Sequence, residues 1–223
     1  MARIRIDPLV AETLERLVGT AAFLEALDKV VPEVEWQERE SLKELAAEQN
    51  WDFGDFSVEQ QILDEKFGRW IPTLAAYSVI ILLHSAVEAQ LDSFAGRVGR
   101  MQGSSFGLDD TAGRGIERAA LYLKKVGGLA VKDDPAWPHL QNMQKLRNVI
   151  AHRGGKWTGT DAERERLLLT YPGKLAFRDR SLTRQELWIS MNLCREFAQQ
   201  TEGFFKRIFK AAGLPDKGVQ FLP

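Results

Sequence analysis

Thr73 to Gly96 is the most hydrophobic segment of the chain, and any fold has to bury it. It reads as a central helix covered on most sides. One line along it is polar: Tyr77, Ile81, Ser85 (or His84), Glu88 and Asp92 follow each other at three- and four-residue steps. An interior carboxylate needs a partner, because an unpaired buried charge is costly, so something cationic is expected to face this helix. The longest apolar run, Val79 to Leu83, ends at Ser78 on one side and His84-Ser85 on the other, too short and too polar at its edges to span a bilayer. The opening MARIRIDPLVAETLERL shows no signal-peptide core with a small-residue cleavage site. The expectation is a cytoplasmic protein without a membrane partner.

Around this segment lie amphipathic stretches of helical period. Leu9, Leu14, Leu17, Val18, Ala21, Phe23, Leu24 and Leu27 mark a helix from Pro8 to Val30, with Asp7 as its cap. Pro32 is expected to end it, with an acidic helix following from about Glu33 to Glu48. Asn50 to Phe56 reads as a loop, and Ser57-Val58-Glu59-Gln60 as a capping box opening a helix toward Trp70. Pro72 should break or kink that helix. Gly99 to Gly113 reads as a loop. A helix from Arg114 to Val126 then stops at Gly127-Gly128, and another runs from Asp133 or Asp134 to about His152 before Gly154-Gly155. Asp161 to Thr170 fits a short helix, Lys174 to Arg178 and Glu186 to Ile189 two short strands, and Ser190 to Ala212 a final helix. The tally favours an all-α up-and-down bundle with a small β-hairpin before the last helix.

Composition narrows the function classes. With 223 residues, 44% hydrophobic and 27% charged, the chain can bury a full core. Its single cysteine, Cys194, excludes an internal disulfide and reads as a packed small residue. Three histidines far apart in sequence give little basis for a metal site, and no phosphate-binding glycine loop or G-x-S-x-G is present, so neither metal nor cofactor is expected. The net charge of −1 argues against a protein that coats nucleic acid generally. The charge is uneven, however. Residues 1–66 hold 16 acidic and 7 basic side chains, a net of −9, whereas residues 113–156 hold 9 basic and 3 acidic, a net of +6. That local field suits a polyanion, although charged helix faces are also commonly just solvated.

The basic stretch contains Leu146-Arg147-Asn148-Val149-Ile150-Ala151-His152-Arg153-Gly154-Gly155. At about 100° per residue, Asn148 and His152 project within about 40° of each other. Arg147 lies about 140° from His152 beside the apolar arc of Leu140, Met143, Leu146 and Ile150, and its long side chain can reach round. A titratable imidazole, an orienting amide and a permanent cation are the ingredients for cleaving a phosphodiester without a metal. The double glycine leaves open backbone where a ligand could approach.

Arg147-Asn148-x-x-x-His152 resembles the R-x(4–6)-H motif of the HEPN family, and the context supports it: an apolar helix reading LLHSAVEAQLDSF (residues 82–94), then LRNVIAHRGG, then a closing amphipathic helix. The resemblance covers about residues 57–212. It implies a HEPN-like bundle over residues 57–223 with residues 1–56 as a helical extension. It further implies a homodimer in which paired motifs form a metal-independent endoribonuclease site. Arg147 would then hold the scissile phosphate, His152 would act as general acid or base, and Asn148 would position one of them. Glu88 would support the site as the buried partner of Arg147, and Lys145, Arg153 and Lys156 would carry RNA. A role as toxin or antiphage effector, with a protein antitoxin or regulator as partner, belongs to the same resemblance.

Two other readings fit the same residues. One is a non-catalytic HEPN-like module that dimerises or binds RNA or nucleotide. The other is a structural bundle in which Arg147 and Glu88 form a buried pair and His152 merely sits at the negative end of its helix. His84 reads as a core histidine able to join Glu88, His139 as packed or solvated, and Trp157 as either a core anchor or a base-stacking surface.

Overall fold

The computed structural model describes residues 3–181, 184–215 and 219–222. Seven α-helices dominate it: α1 (Pro8–Gln49), α2 (Phe53–Glu65), α3 (Ile71–Met101), α4 (Gly115–Gly127), α5 (Trp137–Arg153), α6 (Asp161–Thr170) and α7 (Met191–Ala211). Strands β2 (Leu175–Ser181) and β3 (Arg184–Ile189) form the hairpin expected before the last helix, and β1 (Arg3–Ile6) pairs antiparallel with β4 (Val219–Leu222). The architecture is all-α with a small β-hairpin.

Helix α3 is the axis, packing against α1, α4, α5 and α7. Ile80, Leu83, Val87, Leu91 and Phe94 are fully buried on it. They meet an aromatic layer on α7, where Phe94 lies edge-on to Phe209, and Phe204 and Phe205 follow within ring contact. By length and composition alone, the continuous helix Phe53–Met101 could cross a membrane. Here its apolar part forms the centre of the bundle.

Three expectations about the first hundred residues are corrected. Pro32 does not end a helix: α1 runs unbroken from Pro8 to Gln49. Its flanks are held on both sides of the proline, by an Asp28–Arg195 ion pair to α7 and by Glu38–Lys66 and Arg39–Asp64 pairs to α2. Next, the loop expected over Asn50 to Phe56 is confined to Asn50 to Asp52, and Phe53 to Phe56 already belong to α2. Asn50 takes the left-handed conformation that terminates α1, and Asp52 caps α2 by accepting from Asp55 N, five residues ahead of the expected Ser57 cap. Finally, Pro72 does not break the chain. Lys66–Trp70 form a π-turn in which Ile71 N–H reaches back to Lys66 O, and the wider turn absorbs the proline one residue later.

The first half of α1 belongs to the core, since Val10, Thr13, Leu17 and Leu24 are buried there. Beyond Leu24 no residue of α1 is buried, and none of α2. Together they form an acidic helical hairpin with Trp36, Phe53, Val58 and Ile62 exposed. Its two ion pairs set the antiparallel register, Glu38 opposite Lys66 and Arg39 opposite Asp64.

Candidate functional site

Helix α5 presents the motif. Trp137, Leu140, Met143, Leu146 and Ile150 fix its buried face on α3 and α7, leaving Asn148, His152 and Arg153 exposed and Lys145 half-buried. Spaced by three and four residues, Lys145, Asn148 and His152 share one outer face. Gly154 takes the left-handed conformation at the helix end (φ 58°), and Gly155 follows at φ 83°. The second glycine has a packing reason. A Cβ at 155 would stand 2.0 Å from the Tyr77 hydroxyl oxygen, while one at 154 would meet open space. So only Gly154 offers the open backbone expected of the pair.

Arg147 lies half-buried between α5 and α3. Its Nη1 donates to Asn148 Oδ1 at 3.1 Å, and its Nε is buried without a partner. Among the described residues Arg147 forms no ion pair, so Glu88 is not its partner within salt-bridge distance. Glu88 Oε2 instead lies 3.3 Å from Nδ1 of His84, one turn earlier on α3, and Glu88 is only partly buried. His84 is 1% exposed and its pKa is lowered to about 4, first by burial and then by the positive charge of Arg147. The imidazole is therefore neutral at pH 7, beside a cation on one side and a carboxylate on the other. The cation that meets the polar line of α3 directly is Arg118 of α4, paired with Asp92 at 3.3 Å. Burial nonetheless raises the Asp92 carboxyl above its usual range.

The positive charge is unevenly neutralised. Arg118 is matched by Asp92 and Asp109, and Lys132 by Glu117. Among the described residues, Lys145, Arg147, Arg153 and Lys156 have no carboxylate within ion-pair distance. Lys145 stands near the start of α6, where it adds to the Thr160 backbone and side-chain hydrogen bonds in holding the Glu163 carboxyl below its usual range. His152 has no hydrogen-bond partner among the described residues. Four cations without a carboxylate partner thus lie on or just after the C-terminal half of α5, and among the described residues Arg114, Lys124 and Lys125 on or beside α4 have none either.

His139 and Trp157 both make packing contacts, although Trp157 Nε1 is buried without a hydrogen-bond partner among the described residues. His139 Nδ1 is 3.2 Å from the Tyr171 hydroxyl, and Trp157 packs edge-on to Phe177 with its ring under Gly159. Among the described residues no group of three His, Cys, Asp or Glu side chains could hold a metal ion. No protein-family model matches the sequence, and no curated protein or solved structure proves significantly similar to it. The expectation that His84 is a core histidine able to join Glu88 agrees with the structure, as their four-residue spacing, one turn of helix, allows. What sequence reading missed is that Arg147 acts on His84.

Proposed function

We propose that this protein is a metal-independent endoribonuclease of the HEPN type, acting as a homodimer on RNA. The observation that carries the reading is Arg147: a half-buried guanidinium with no carboxylate partner among the described residues, one and a half turns before an exposed His152 on the same helix. A desolvated cation without a counter-ion is unfavourable, and a phosphate oxygen completes it. In this mechanism His152 takes the proton from a ribose 2′-hydroxyl. The 2′-oxygen attacks the adjacent phosphorus, and the 5′-oxygen leaves with a proton supplied by the second imidazole of the dimer. Arg147 stabilises the charge developing on the phosphate, Asn148 orients the guanidinium, and Lys145, Arg153 and Lys156 hold the flanking backbone. Neutral His84, which feels the charge of Arg147, leaves that charge free for the phosphate. Because the nucleophile is the 2′-hydroxyl, RNA and not DNA is the substrate. A toxin or antiphage role, restrained by a protein partner, fits this activity.

The experiment is cleavage of a mixed RNA by wild-type, His152→Ala and Arg147→Ala proteins in EDTA. The expected result is 2′,3′-cyclic phosphate ends from the wild type and a loss of about 10²-fold or more in each variant. Undiminished cleavage by folded, dimeric His152→Ala protein would refute the mechanism. RNA binding without turnover would leave a non-catalytic binding module instead.

A further inference from the structure

The outer half of α1, Glu25 to Gln49, runs about 37 Å. With α2 it makes an arm in which no residue is buried. Residues 25–66 hold 13 acidic and 4 basic side chains, whereas residues 1–24 are balanced at 3 and 3, so the whole net charge of −9 sits on the arm. At about 100° per residue, Glu33, Glu40, Glu44 and Glu48 fall within about 80° of one another, and Trp36, 60% exposed, borders them. Glu38 lies about 140° round from Glu33 and pairs with Lys66, so the stripe faces away from α2. It is about 22 Å long. Glu33, Glu44 and Glu48 are exposed, and none has a cationic partner among the described residues.

A basic surface of the same chain is left uncompensated as well. Helices α4 and α5 run antiparallel, with Gln141 donating to Glu117 at 2.9 Å and Gln144 beside Gly115, so Arg114 stands level with Lys145 at the motif end. Arg114, Lys145, Arg153 and Lys156 have no carboxylate within ion-pair distance among the described residues, and no ion pair there joins the arm to residues 113–156. The two pools, net −9 and net +6, are therefore not neutralised against each other within one copy. They stay apart because α1 is continuous through Pro32 and is tied to α7 by the Asp28–Arg195 pair. Lysine and arginine can lay their aliphatic stems and their charge on an indole, so Trp36 beside the glutamates suits a surface of this composition.

We infer that the arm docks on the basic end of α4 and α5 in a second copy of this chain, with Glu33, Glu44 and Glu48 against Arg114, Lys145, Arg153 and Lys156 and Trp36 among their stems. Each copy carries one acidic stripe and one basic face, so a two-fold axis exchanges both contacts and the assembly closes as a dimer. The inference rests on the ribonuclease reading only for its consequence: the docked arm covers cations that would hold RNA, so RNA must displace it. The first test is zero-length carbodiimide cross-linking of full-length protein mixed from heavy- and light-nitrogen copies, read by mass spectrometry. Isotopically mixed cross-links from Glu44 or Glu48 to Lys145 or Lys156 are expected at low salt and should fade at high salt, as exposed ion pairs do. The second is a charge swap read by sedimentation equilibrium. Glu33→Lys/Glu44→Lys/Glu48→Lys protein and Lys145→Glu/Arg153→Glu/Lys156→Glu protein should each self-associate at least about tenfold more weakly than the wild type. A one-to-one mixture of the two should recover the association, because opposite charges then meet at both contacts. Lysine and glutamate are comparable helix formers, and circular dichroism checks that each variant is folded. A mixture no tighter than its components would overturn the docking. So would a wild type without mixed cross-links, which would assign the stripe to a basic partner of another sequence. The arm variant leaves the motif intact and should cleave RNA at least as fast as the wild type. Recovery in the swap without any cleavage by the wild type would keep the arm and remove the ribonuclease reading, whereas cleavage without mixed cross-links would do the reverse.

Discussion

Replacing Gly155 by alanine places a methyl carbon 2.0 Å from the Tyr77 hydroxyl oxygen and 2.7 Å from its Cζ. Two costs follow. A non-glycine residue at φ 83° is strained by about 1–2 kcal/mol. The tyrosine must also move, giving up its 2.5 Å bond to the buried Leu187 carbonyl, a loss of about 1–3 kcal/mol when the acceptor stays unsatisfied. The sum, about 2–5 kcal/mol, lowers the melting temperature of a domain of this size by roughly 5–15 °C. Gly154→Ala is the matched control. It is also left-handed at φ 58°, but its methyl meets open space, so only the strain of about 1 kcal/mol remains. The assay is urea and thermal unfolding followed by circular dichroism on both variants, on Tyr77→Phe and on the Gly155→Ala/Tyr77→Phe double variant. Since removing the hydroxyl relieves the closest contact, the double variant should be more stable than the sum of the singles by about 1 kcal/mol or more. Equal losses for Gly154→Ala and Gly155→Ala, or strict additivity in the cycle, would refute the argument that Tyr77 dictates this glycine.

Other outcomes follow from the same geometry. His84 titrates near 6.5 when unfolded and near 4 in the fold, so between those values the unfolded chain binds more protons and stability falls as pH falls. The loss approaches about 3 kcal/mol by pH 4, and His84→Leu should flatten this part of the urea-midpoint profile; an unchanged slope would count against it. Cys194 is fully buried and its thiol is pushed up to about 12 by burial, so iodoacetamide should label it only as fast as the protein unfolds. Rapid labelling under native conditions would contradict that burial. Thr13→Val removes the hydroxyl 2.8 Å from Gln90 Oε1 in the α1–α3 contact and should cost about 1–3 kcal/mol by chemical denaturation. A neutral result would mean that Gln90 finds another donor.

The bundle was legible in the sequence because its helices carry their own signals. α4 and α7 have clean apolar faces, α6 has a Thr160–Glu163 capping box, and Ser190 caps α7. The hairpin was legible as two short strands, expected over Lys174–Arg178 and Glu186–Ile189, which fall on β2 and β3. The misreadings fell on prolines and on Asn50 to Phe56. Local rules treat proline as a stop, whereas ion pairs distant in sequence, Asp28–Arg195 and Glu38–Lys66, hold the helix on both sides of Pro32. The extension assigned to residues 1–56 likewise hides a division that only packing reveals, buried up to Leu24 and solvated beyond it. At the site, the outward placement of Asn148 and His152 follows from periodicity alone. The partner of Glu88 does not, because choosing between His84 and Arg147 requires side-chain positions that spacing leaves open.

The register of the acidic hairpin carries a mechanical consequence. Pro32 lies six residues before Glu38, and Pro72 lies six residues after Lys66, the residue that Glu38 meets. The two prolines, each a missing donor in its helix's hydrogen-bond ladder, therefore stand level with each other. Helices bend where those ladders are broken. The two rods thus carry their weak points at one height, like the stacked knuckles of a finger. A bend at that level would carry both rods together and would not slide one past the other, so the Glu38–Lys66 and Arg39–Asp64 pairs would survive it.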